Sequence, residues 1–304
     1  MDLMKKKLLT KILILINIVF FSLFLYWPSE LKNELSQAIR NTKNILSITY
    51  YKQLINFNDS YMICELPRAK RIKPSTIIIS GHVYNDKPSI HLISEKLMEL
   101  IISNKALLDG VYLTGDIFFE PSEKDWDLLN KTFQNLDIQL QVAPGNHDIG
   151  FKNSTKKEIF EKSNQFNYPF AISSKSSVHI FDDTTVKPWS YQDKAMILAA
   201  EYADINKNLF LFGHHITIKE LLFIANSNEG KPSHITEFNS IVTKLSPLYK
   251  NIYLIAGDTG AFEHLPTSLC INYNNVFYVA QGIKNHGQNE VLLLNNDQLS
   301  KIEL

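Results

Sequence analysis

At 304 residues with 45% hydrophobic content, the chain can bury a full core in one or two domains. Basic and acidic residues balance at 31 each, so no global electrostatic case exists for nucleic acid as a partner. Cys64 and Cys270 lie far apart and lack CxxC or Cys/His spacing, which argues against a zinc ribbon or dithiol motif and leaves either one disulfide or two buried thiols.

In chain order, residues 1–7 form a basic tail carrying Lys5, Lys6 and Lys7. Residues 8–27 follow as an apolar stretch just long enough to cross a bilayer, with Lys11 snorkelling to one interface and Tyr26 and Trp27 at the other. No small-residue cleavage site precedes Pro28. The expectation is an uncleaved, single-pass anchor with the N-terminus cytoplasmic and the main domain periplasmic or otherwise extracytoplasmic. Residues 28–73 read as a helical stalk and linker, because Leu31, Leu35, Ile39, Leu46 and Leu54 fall near helical spacing. The stalk ends in the basic cluster Arg68 to Lys73, which reads as a solvated linker.

Residues 74–304 alternate strand and helix patterns. Strands are expected at Thr76 to Ile79, around Val111, and at Gln139 to Ala143, with helices at Ser89 to Ile102 and Glu123 to Gln134. Beyond them come a helix at Thr155 to Ser163, strands at Tyr168 to Ile172 and Val178 to Phe181, and a helix at Tyr191 to Tyr202. The remainder is mostly strand-like: Leu209 to Phe212, Ile252 to Ala256, Leu269 to Asn272, Val276 to Ala280 and Val291 to Leu294, with helices at Ile218 to Ala225 and Ile235 to Leu245. The fold class is therefore α/β, with two packed mixed β-sheets flanked by helices.

Chemistry-bearing residues concentrate just after strands, at the sheet edge where α/β proteins bind ligands. The turns are Ser80-Gly81-His82, Gly115-Asp116, Gly145-Asn146-His147-Asp148, Gly213-His214-His215 and Gly257-Asp258-Thr259-Gly260. Carboxylates, an amide oxygen and imidazoles are ligands for hard to borderline divalent ions, and glycines let the backbone turn beside them. In order and composition these turns resemble those of the calcineurin-like metallophosphoesterases, over most of the chain from Thr76 to Ala280.

The resemblance implies a divalent metal cofactor (Mn, Fe or Zn) and a phosphorylated substrate. One ion site is nearly complete: Asp116, Asn146, His214, with His215 as the fallback, and Asp258. The other keeps His82 and Asp116, because Ser80 stands in place of an aspartate and Gly260 in place of a histidine. His147 is expected to assist the leaving oxygen with Asp148 orienting its ring, and His82 to help neutralise phosphoryl charge. Glu120, Glu263 and His264 read as surface residues rather than replacement ligands, and whether the loop at 83–86 restores a carboxylate through Asp86 stays open. The expected activity is membrane-anchored, metal-dependent hydrolysis of an extracytoplasmic phosphomonoester or phosphodiester, lipid- or glycan-linked. The alternative is a catalytically silent relative that binds a phosphorylated or glycan envelope partner through the same cleft.

Overall fold

The computed structural model describes residues 62–84, 92–150, 155–164, 167–185, 189, 193–216, 238–262 and 265–304. The expected anchor at 8–27, the stalk up to residue 61, and the helix at 218–225 lie outside the described residues. Among the described residues no helix is long and apolar enough to cross a membrane.

Twelve strands form two sheets. The first holds β2 (Thr76–Ser80), β3 (Leu108–Thr114), β4 (Gln139–Ala143), β11 (Glu290–Asn295) and β12 (Gln298–Glu303), in the order β12-β11-β2-β3-β4. Strands β2, β3 and β4 run parallel, and β11 closes against β2 antiparallel. The second holds β1 (Met62–Ile63), β5 (Phe170–Ser173), β6 (Ser177–Phe181), β7 (Asp204–Gly213), β8 (Tyr249–Ala256), β9 (Ser268–Tyr273) and β10 (Val276–Gln281), in the order β1-β9-β10-β8-β7-β6-β5. Its centre, β6, β7, β8 and β10, is parallel.

Strand alternation explains how the sheets stack. In β7, Leu209 and Leu211 face an outer core with α5 (Lys194–Glu201) and α6 (Phe238–Leu245), whereas Phe210 and Phe212 face the other sheet. In β2, Ile79 meets those phenylalanines while Ile78 faces α1 (Glu95–Ser103), α2 (Glu123–Leu136) and α4 (Thr155–Asn164). The remaining helix, α3 (Asn146–Ile149), is one turn long and belongs to the site. Four layers result, α/β/β/α, as the apolar pattern predicts.

Several boundaries differ from expectation for local reasons. Helix α1 begins at Glu95, not Ser89, because Ser94 caps it, its Oγ accepting from the Leu97 N–H; residues 85–91 are outside the described residues. Helix α2 opens with a reciprocal capping box between Ser122 and Asp125. The globular part reaches back at least to Met62, ahead of the expected start at residue 74. Met62 and Ile63 pair with β9, Ile72 is buried, and Cys64 forms a disulfide with Cys270. Two Cys in one oxidised pair decide the choice left open by the sequence.

Candidate metal centre

Five parallel strands, β2, β3, β4, β7 and β8, end at one edge, and the turn after each carries a candidate residue. The turns are laced together by backbone bonds. His82 N–H donates to the Gly115 carbonyl (2.9 Å), Gly257 N–H to the His214 carbonyl (2.8 Å), and Ile283 N–H to the Gly81 carbonyl (3.0 Å). His82 and Asp116 both adopt left-handed backbone, with φ of 53° and 55°, a conformation that costs energy in non-glycine residues and clusters at functional sites. Gly115 has φ of 86°, and a Cβ there would lie 2.4 Å from His214 Nδ1. Only glycine lets the β3 turn pass beneath that ring.

His82, Asp116, His214 and Asp258 converge. His214 Nε2 lies 3.3 Å from Asp116 Oδ1 and 3.6 Å from Asp258 Oδ1. His82 Nε2 lies 3.5 Å from Asp116 Oδ2 and 3.9 Å from Asp258 Oδ1. All four residues are buried. Ligand atoms about 2 Å from an ion in tetrahedral geometry stand roughly 3.3 Å from one another; the ligand atoms of His82, Asp116 and Asp258 lie within 4.8 Å of one another, a spacing that suits a divalent cation.

Protonation chemistry points the same way. His214 Nδ1–H donates to the Thr114 carbonyl (3.0 Å), which aims Nε2 at the two carboxylates, and Nε2 is a buried atom with no hydrogen bond of proper geometry among the described residues. Burial alone would lower the His214 pKa, but Asp116 and Asp258 push it up to about 10. Burial alone would raise the Asp116 carboxyl, but His214 first, and then His82 and His147, hold it below the usual carboxylate range. Two buried carboxylates require a positive charge between them, and the residues present fit a metal ion.

Asn146 and His215 form the flank of this cage. His215 Nε2 donates to Asn146 Oδ1 (3.0 Å), and His214, His215 and Asp258 present ligand atoms within 4.8 Å of one another. In a continued strand His215 would point away from His214. Strand β7 stops at Gly213, so the alternation lapses and both rings reach the cleft. The main-chain N–H groups of both histidines donate to Thr184 Oγ1, at 2.9 and 3.2 Å.

Asp148 departs from its expected role. Its Oδ2 accepts from the Gly145 N–H (2.8 Å) and its Oδ1 from the Ile117 and Phe118 N–H groups (2.9 and 3.4 Å), so it ties the β3 and β4 turns together and does not orient His147. Burial, aided by Asp116, pushes the Asp148 carboxyl up to about 7. His147 donates its main-chain N–H to Asp116 Oδ1 (3.0 Å), while its Nδ1 meets the Phe119 carbonyl (3.2 Å) and its ring stacks on Phe119.

Gly260 is explained by packing. A Cβ there would fall 2.2 Å from the Ile283 carbonyl oxygen and 2.6 Å from His82 Cβ, so no ligand-bearing side chain fits beside His82. Ser80 Oγ is buried without a hydrogen-bond partner among the described residues. Glu120 pairs with Lys156 (2.9 Å) on the surface, and Asp86, Glu263 and His264 lie outside the described residues.

Tyr84 is the residue that sequence reasoning missed. Its hydroxyl lies 3.2 Å from His82 Nε2, and its ring packs edge-on against His147 and Phe119. Burial first, then the charges of Asp116, Asp258 and Asp148, push its pKa up, so it remains a neutral O–H donor.

No family model matches the chain. A protein described as a probable glycerophosphodiester phosphodiesterase GpdQ, from Arcobacter nitrofigilis, is 24% identical over 155 residues, covering 49% of this chain and 57% of that relative. The solved structure of purple acid phosphatase PPD1 from yellow lupin (Lupinus luteus) seeds superposes with a TM-score of 0.50 at 11% identity, covering 78% of this chain and 55% of that one. The likeness in sequence is to part of the diesterase, and the likeness in structure to the phosphatase is one of fold. The chain spans little more than half the length of either protein. The strand-end turns keep the order on which the sequence resemblance rests, while Ser80, Asp258 and Gly260 depart from the ligands that resemblance implies.

Proposed function

We propose that this protein is a metal-dependent phosphoester hydrolase, tethered to a membrane and acting on an extracytoplasmic phosphomonoester or phosphodiester, lipid- or glycan-linked. The observation that carries the reading is the convergence of His82, Asp116, His214 and Asp258 at 3.3 to 3.9 Å. His82, Asp116 and Asp258 form one trio that would hold a divalent ion, and His214, His215 and Asp258 form a second that shares Asp258, with Asn146 beside His215. Such an ion supplies charge neutralisation and lowers the pKa of water, the requirement for attack on phosphorus at neutral pH.

The chain's own groups do the rest. Asp116 is fixed by the His147 N–H, and His214 by the Thr114 carbonyl, so both are oriented before substrate arrives. His147 is half-buried at the mouth of the cleft. With its Nδ1–H engaged by the Phe119 carbonyl, its Nε2 is the ring atom that exchanges a proton with the leaving oxygen. The apolar segment 8–27 supports the tether, and the Cys64–Cys270 disulfide supports an oxidising, extracytoplasmic compartment.

The test measures metal content and hydrolysis of an aryl phosphodiester for wild type and Asp258→Ala. Wild type should retain at least one equivalent of manganese, iron or zinc, and the variant should lose at least a hundredfold in kcat/KM together with metal affinity. A wild-type protein that binds no transition metal, with the same background rate as the variant, would instead mark a silent relative that uses the cleft for binding.

A further inference from the structure

On the basis of the hydrolase reading, we infer that the Tyr84 hydroxyl is a catalytic group that binds a phosphoryl oxygen of the substrate, on the side of the cleft where Ser80 and Gly260 add no charged ligand to His82 and Asp116. Three observations carry this. First, the hydroxyl stands 3.2 Å from His82 Nε2, an atom of the ion cage, so a phosphoryl group seated against the cage lies within its reach. Second, its ring is fixed on two sides. The ring centroids of His147 and Phe119 lie 5.4 and 5.5 Å away, both in edge contact, and His82 packs at 4.6 Å. A donor held in place by its neighbours stabilises developing negative charge without reorganising.

Third, that side of the cleft needs a donor. The backbone around Gly260 fills the space beside His82, and Ser80 offers a neutral buried hydroxyl where a carboxylate would add a charged ligand. Negative charge on the phosphoryl oxygens there must be met by hydrogen bonds. Tyr84 provides one from a neutral phenol, and the proton stays on the phenol throughout. Its position between His82 and His147 puts it between the ion cage and the group assigned to the leaving oxygen.

The experiment compares full-length wild type, Tyr84→Phe and Tyr84→Gln after manganese loading. It measures metal stoichiometry, melting temperature and the calorimetric dissociation constant for inorganic phosphate, with kcat and KM on an aryl phosphodiester alongside. Tyr84→Phe keeps the ring contacts and should bind phosphate about tenfold more weakly, with kcat down ten- to a hundredfold, while manganese stoichiometry and melting temperature stay at wild-type values. Tyr84→Gln restores a donor and should recover part of the phosphate affinity. Equal phosphate affinity in wild type and Tyr84→Phe overturns the proposal and leaves the hydrolase reading intact. Loss of manganese in Tyr84→Phe also overturns it, since the hydroxyl would then serve the ion and not the phosphoryl group. A wild type that binds neither manganese nor phosphate overturns both readings.

Discussion

At the scale of single residues, the turn chemistry separates groups that face the cleft from groups that build it. Asp148 belongs to the second kind, because both its oxygens are taken by main-chain N–H groups of the β3 and β4 turns. Replacing it with alanine leaves three N–H donors without their partner and should cost about 3 kcal/mol or more, measured by urea unfolding. Asp148→Asn retains one acceptor oxygen and should lose less. If Asp148→Ala unfolds at the wild-type urea midpoint, the two turns are held by something else. The sequence made Asp116, Asn146, His147, His82, His214 and Asp258 legible because Gly and Asn signals after apolar runs mark strand ends, and strand ends in such a sheet converge. Tyr84 was not legible. A lone tyrosine two residues past a histidine has no periodicity, and its relation to His147 exists only once two turns from different strands meet.

At the scale of elements, the seam between the two sheets holds an unusual resident. His179 on β6 is buried among Tyr112, Phe210 and Phe212, and its two ring nitrogens meet the Tyr112 hydroxyl and Ser177 Oγ, each at 3.1 Å. Burial pulls its pKa down to about 4, against a small opposing pull from Asp297. Between that value and the unfolded value near 6.5, the native state binds fewer protons than the unfolded chain, so stability falls as pH drops through this window. The full effect is about 3 kcal/mol. His179→Gln keeps polar partners for Tyr112 and Ser177 but cannot titrate. Its unfolding free energy should decline less than that of wild type between pH 7 and pH 4.5, and identical slopes would locate the acid sensitivity elsewhere. Alternation of apolar residues predicted the strands that bracket this seam, including β2, β3, β4, β6 and the core of β7. It did not find β1, since two residues give no period, nor the capping at Ser94 that shortens α1.

At the scale of the molecule, one covalent bond fastens the segment at the start of the described chain to the second sheet. Cys64 follows β1 directly and is linked to Cys270 in the middle of β9, 206 residues away in sequence. Closing so long a loop restricts the unfolded chain, by about 5 kcal/mol in the chain-entropy account, with measured effects commonly 2 to 5. The Cys64→Ser, Cys270→Ser double variant should therefore lose roughly 2 kcal/mol or more in denaturant unfolding. If thiol titration of native wild type finds two free cysteines, the link and the support it gives to an exported domain both fall away. The four-layer arrangement itself was legible, because the order of strand and helix patterns admits few other ways to cover two sheets.

The cleft draws its acid, amide and imidazole groups from both sheets: His82, Asp116 and Asn146 from the five-stranded one, and His214, His215 and Asp258 from the seven-stranded one. A cation held by His82, Asp116 and Asp258, drawn from both sheets, would be a rivet through the joint. Small sliding of one layer past the other changes every bond to it at once, so mechanical slack in the body of the protein translates directly into lost grip at its rim.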